Sequence, residues 1–166
     1  MARFLARQSD ERGQSLVEFA LTIPLVLLLM VGLFDLGRVV FINNSLSDGA
    51  KHGARHAVTD PRGTDYCDRI DSAVRTATRG QPLVRYQVIY ESIDQAGSVF
   101  GTYQLCEDGG NGVDFGGLGL EISPGDRVTI HLGADVGLIT PFVAAASGRS
   151  TFNLDAQATR VVTFVP

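Results

Sequence analysis

The chain has 166 residues, with 14 Lys and Arg against 18 Asp and Glu and a net charge of −4. That length holds an anchor and one small domain, not two full domains. An acidic balance with no basic stripe argues against a nucleic-acid partner.

The amino-terminal flank, residues 1–12, carries Arg3, Arg7 and Arg12 beside Asp10 and Glu11. Orientation follows the Lys and Arg near a span rather than net charge, so this flank is expected in the cytoplasm and the later domain outside. From Phe19 to Phe34 no residue is charged, and Thr22 and Pro24 are the interruptions. As helix the run reaches roughly 24 Å, a little short of the ~30 Å hydrocarbon layer. Leu16 and Val17 before it, and Leu36, Val39 and Val40 after it, lengthen the apolar surface. A membrane part of about residues 16–36 follows. The run has no polar face, which fits a span better than a core helix. It is also too long for the apolar region of a secretory signal, and Asp35-Leu36-Gly37-Arg38 after it offers no small-x-small cleavage site.

Glu18 stands at the cytoplasmic edge of this run. A carboxylate there is costly, which makes it a functional candidate. The plain alternative is an interfacial carboxylate reaching back to water. Its context is Gly13-Gln14-Ser15-Leu16-Val17-Glu18-Phe19-Ala20-Leu21. This segment resembles the processing site of type IV prepilins. There a Gly precedes the cut, a Glu stands fifth after it, and an aromatic follows in the Flp/Tad branch. The longer segment through Ile23-Pro24, Asp35, Gly37-Arg38 and Ala54-Arg55 resembles the start of TadE-like proteins, the minor pseudopilins of tight-adherence pilus systems. The resemblance is specific over residues 12–57 and diffuse beyond. It implies a cut between Gly13 and Gln14 by a prepilin peptidase, and roles for Glu18 and Phe19 in recognition and assembly. It also implies other pilins or pseudopilins and inner-membrane assembly-platform proteins as partners.

Beyond the span the helical period continues. Leu36, Val39, Val40, Asn43, Leu46, Ala50, Gly53, Ala54 and Ala57 recur at three- and four-residue steps and predict one stripe. The small residues at its end admit close approach by the domain's own sheet. Asp60-Pro61 ends the pattern, so one helix is expected over residues 14–58. Asp35 and Arg38, three apart, can pair on its surface at the outer membrane boundary, or serve an intersubunit contact. Asp48, His52 and His56 share a face at four-residue steps. They read either as a solvated face or as metal ligands, and without a Glu after the first His they are not a metalloprotease motif.

A second helix is expected over about residues 65–79, capped by Thr64 or Asp65, with Tyr66, Ile70, Ala73, Val74 and Ala77 on one side. The period then changes to two. Val84, Tyr86, Val88 and Tyr90 mark one strand and residues 98–106 a weaker one. Val128, Ile130, Leu132, Ala134 and Val136 mark a third, and Phe152, Leu154, Ala156 and Ala158 a fourth. Cys67 and Cys106 are an even pair outside the cytoplasm, which favours a disulfide. The loop around Asp108, Asn111 and Asp114 holds one partial copy of a calcium repeat. That architecture needs stacked copies, so a hairpin tip is the simpler reading and a calcium site a weak one.

The expected fold is α+β: a long transmembrane, pilin-like first helix, a short second helix and a small antiparallel sheet of about four strands. Its parts are a cytoplasmic leader at 1–13, the long helix at 14–58 and an extracytoplasmic domain at 59–166. No nucleotide loop, nucleophile motif or cofactor motif is present, so no catalytic residue and no cofactor is assigned. The expected function is a TadE-like minor pseudopilin in the bacterial inner membrane, single-pass with its amino terminus inside, serving a Flp/Tad-type pilus or related secretion filament. The alternative is a single-pass anchored extracytoplasmic binding module.

Overall fold

A computed structural model describes residues 2–59, 65–106, 122–140, 144–145 and 148–163, with only the helical backbone described for residues 2–12. The first helix, α1, runs Ala2–Thr59 and is 58 residues long. It starts a dozen residues earlier than expected. Residues 1–12 contain no proline, and three Arg and two Ala with Leu5, Gln8 and Glu11 favour helix, so the single Gly13 does not end it. Pro24 also lies inside the helix.

The two halves of α1 differ. Residues 13–34 stand almost entirely bare, and the most apolar stretch of the helix buries none of its residues. This one helix is long and apolar enough to serve as a single membrane anchor. From Asp35 on, one face is buried: Asp35, Ile42, Leu46, Ala50, Ala54 and Ala57, with Val39 packed against them. That corrects the start of the expected stripe. Leu36, Val40 and Asn43 face outward. Their line lies about 100° around the helix from Asp35, Val39 and Ile42. Apolarity alone does not choose between two such lines; the loop gripping Asp35 does.

Gly49 and Gly53 let α1 lie close to the rest. A Cβ at Gly49 would stand 2.5 Å from Thr78 Cγ2 and 3.2 Å from Leu132 Cδ1. At Gly53 it would stand 2.6 Å from Val74 Cγ2 and 2.7 Å from Ile130 Cδ1. Each glycine is therefore wedged between the second helix and the sheet.

Helix α2 runs Tyr66–Ala77 and buries Tyr66, Cys67, Ile70 and Val74. Asp65 occupies the N-cap position but makes no side-chain capping bond; it meets Arg69 at 3.1 Å instead. The helix stops two residues sooner than expected because Arg79 and Gly80 take positive φ. The Gly80 amide then donates to the Arg75 carbonyl (3.0 Å), closing the last turn.

Four antiparallel strands follow, β1 Arg85–Ile93, β2 Val99–Cys106, β3 Arg127–Gly137 and β4 Thr151–Val161, in the order β2-β1-β3-β4. The α+β class, with a long helix, a short helix and four strands, is thus what the chain adopts. The period-two faces fall as expected at Tyr86, Val88 and Tyr90 and along the apolar positions from Val128 to Val136, which are buried; Val84 precedes β1 and is exposed. On edge strand β4, Leu154, Ala156 and Ala158 are half-buried against the same core. The opposite face is polar, with Thr129 and Thr159 hydroxyls 2.8 Å apart and an Arg85–Asp155 ion pair at 2.7 Å. Cys67 and Cys106 are disulfide-bonded, joining the first turn of α2 to the end of β2 with Cα atoms 5.6 Å apart.

Candidate functional site

The residues singled out near the amino terminus lie on one continuous helical surface. At Gly13 a Cβ would meet nothing within 4 Å, so no packing demands glycine there. Glycine in a helix interior is about 1 kcal/mol less favourable than alanine, so Gly13 is a weak point in this part of the helix. Leu16, Val17 and Phe19 are each at least 60% exposed. The Gln14 side-chain amide donates to Glu18 at 3.4 Å. Four-residue spacing has put positions 14 and 18 on one face, one turn apart. The Thr22 hydroxyl donates to the Glu18 carbonyl at 2.7 Å.

Asp35 and Arg38, expected to pair with each other, reach the loop after β3 and the last residue of β3 instead. Asp35 is 4% exposed and its carboxylate accepts hydrogen bonds from the amides of Ile139 (3.2 Å) and Thr140 (2.9 Å) and from the Thr140 hydroxyl. Arg38 donates to the Gly137 carbonyl at 3.1 Å. The spacing of three was read locally, but the stronger partners are unpaired backbone groups about a hundred residues away in sequence. Leu138, whose amide donates to the Ser150 carbonyl at 3.0 Å, begins this loop.

A second buried carboxylate was not found from sequence. Asp126 is fully buried and accepts from the Tyr90 hydroxyl, the Ile93 amide (2.9 Å) and the Ser123 amide (2.7 Å). It ties the turn before β3 to the end of β1. Burial, and then the carboxylate of Asp126, push the Tyr90 phenol well above its usual range. The available signal was Pro124-Gly125-Asp126, a turn placing an acid directly before a strongly alternating strand.

On the outer face of α1, Asp48 meets Lys51 at 3.6 Å. His52 and His56 line an open groove with Arg69 of α2. Among the described residues no three His, Cys, Asp or Glu side chains are placed to share a metal ion. Asp108, Asn111 and Asp114 lie outside the described residues.

Residues 13–55 match the family model of TadE-like proteins. The match begins at Gly13, crosses the bare half of α1 and ends on its buried half. Neither the curated proteins nor the solved structures contain a match to the chain.

Proposed function

We propose, since the chain is TadE-like over residues 13–55, that it is a minor pseudopilin of a Flp/Tad-type pilus or related secretion filament. In this reading it is anchored in the inner membrane with its amino terminus inside and the α2–β4 domain outside. Its partners are a prepilin peptidase, other pilins and the membrane platform that assembles them. The role is structural, without catalysis or cofactor. The observation that carries it is the bare helical head in which Gly13, Gln14, Glu18 and Phe19 are uncovered by the rest of the chain, at the spacing that resembles a processing site.

That geometry supports the proposed cleavage. Gly13 has no side chain to block approach to the Gly13–Gln14 bond and is a weak point of the helix around it. Intact mass of the chain extracted from membranes should correspond to a protein starting at Gln14. Gly13→Ala should slow processing at most, whereas Gly13→Leu should leave the full-length chain. Retention of residues 1–13 in the wild-type chain would instead favour the anchored binding module, which has no need of that motif.

A further inference from the structure

The apolar surface of α1 does not end where the domain begins. Ile139, in the loop after β3, is 62% exposed and lies against the helix between two open grooves. One, of about 400 Å³, is lined by Leu27, Met30, Val31 and Phe34. The other, of about 670 Å³, is lined by Met30, Leu33, Phe34 and Phe41. The loop is held in place by the Asp35 carboxylate and the Arg38 guanidinium, so Ile139 cannot swing away without uncovering a buried charge. Two arginines stand near the larger groove. Arg38 borders the larger groove, and the Arg79 guanidinium lies 5.3 Å from the centre of the Phe41 ring.

We infer that this face seats a phospholipid of the outer leaflet, an acyl chain lying in the groove beside Ile139 and Phe34 and the phosphate meeting Arg38 and Arg79. The inference rests on the reading of α1 as a membrane anchor. The grooves are continuous with that span, since α1 forms their wall. Length permits this placement: from Phe19 to Phe41 the helix rises roughly 34 Å, enough to cover the ~30 Å hydrocarbon layer with Phe41 at its edge. Asp35 then lies below the membrane surface, which explains why the loop wraps its charge. Guanidinium groups at headgroup level match phosphate in charge and geometry. A second copy of α1 would offer apolar surface, but in register it brings Arg38 again, with its own Asp35 already enclosed.

The chain contains no Trp, so single indoles can report depth. The full-length variants Ile139→Trp, Leu27→Trp and Phe100→Trp would be placed in phosphatidylcholine–phosphatidylglycerol vesicles carrying brominated acyl chains. Phe100 is exposed and lies toward the far end of the sheet from Gly137. Ile139→Trp should emit in the blue and be quenched by bromines near the carbonyl end of the chain. Leu27→Trp should be quenched by deeper bromines, and Phe100→Trp by neither. Quenching of Leu27→Trp without quenching of Ile139→Trp overturns the lipid seat and leaves the anchor standing. No quenching at Leu27→Trp overturns both. Loss of Ile139→Trp quenching as protein density rises assigns the face to a second copy and overturns the seat. In the Ile139→Trp background, Arg79→Gln should abolish the preference for brominated phosphatidylglycerol over brominated phosphatidylcholine. An unchanged preference removes the phosphate contact.

Discussion

The two halves of α1 share one helix and a largely apolar composition, yet they meet opposite surroundings. Residues 13–34 carry large aliphatic side chains on every side and pack against almost nothing. Residues 35–59 carry small residues along one face and are packed to the point where Gly49 and Gly53 admit no Cβ. Bulk all round is suited to lipid or to neighbouring helices, which need no register. Smallness on one face is suited to a fixed partner within the chain. Changes in the packed half and its domain should therefore cost folding, and changes in the bare half should cost function with folding unmoved.

The largest expected cost to folding lies in the domain that α1 packs on. Replacing Cys67 and Cys106 together by Ser opens a loop with a sequence separation of 39. The chain-entropy estimate for a loop of that size is on the order of 3–4 kcal/mol. Thermal unfolding of the detergent-solubilised chain should show this as a lowered midpoint. A midpoint equal to that of the intact protein would mean that the bridge adds nothing to a core already closed by α1.

Asp126→Ala comes next. It removes the acceptor of three donors, Tyr90, Ile93 and Ser123, in a buried place. Leaving a buried donor unsatisfied costs about 1–3 kcal/mol, so a loss of about 2–3 kcal/mol is expected where relaxation readmits some water. Tyr90→Phe, which takes away one donor and keeps the ring, should cost less than Asp126→Ala. The reverse order would show that the phenol, and not the backbone amides, holds the turn.

These two carboxylates mark what the sequence left hidden. The bare run, the alternating strands and the small residues facing the sheet were all legible, because each is a periodic signal carried within a few neighbouring residues. Asp35 and Asp126 are not periodic, and their partners lie far away in the chain. Asp35 was read as a boundary marker, since a charge at the head of an apolar stripe looks like its end. The stripe itself was started one line too far round, at Leu36, for the same reason. At Gly13 and Glu18 the reading came from a motif, and the proposed role of that motif lies in a peptidase and in neighbouring subunits rather than in contacts within this chain.

A smaller effect, of opposite sign in the two halves, tests the contrast directly. Gly13→Ala places a methyl in open space and gains helix propensity of up to about 1 kcal/mol. Gly53→Ala gains the same propensity but drives a methyl within 3 Å of Val74 and Ile130. Overpacking of that kind costs about 1–3 kcal/mol, so the net change should be destabilising by roughly 1 kcal/mol. Unfolding midpoints, measured on the uncleaved chains, should rise or stay level for the first and fall for the second. A fall at both would mean that the amino-terminal half is packed in the folded protein after all.

The smallest expected effect on folding, near zero, belongs to Glu18→Gln. The side chain accepts a hydrogen bond from Gln14 on its own helix, and the replacement keeps its size and a hydrogen-bonding group. Processing should also proceed, since the Gly13–Gln14 bond is untouched. What changes is the charge beside the new amine of Gln14, which the helix sets one turn away. Within one chain, or between staggered chains, that amine and the Glu18 carboxylate can neutralise each other at the membrane edge. An unpaired charge is costly there, so the pair favours one axial register among the many that bare aliphatic helices allow. Glu18→Gln should therefore give a normally cleaved, normally melting protein that co-purifies poorly with its filament partners and leaves fewer pili on the cell. Normal co-purification and normal pili would return Glu18 to an interfacial carboxylate, and the assignment would then rest on processing after Gly13 alone.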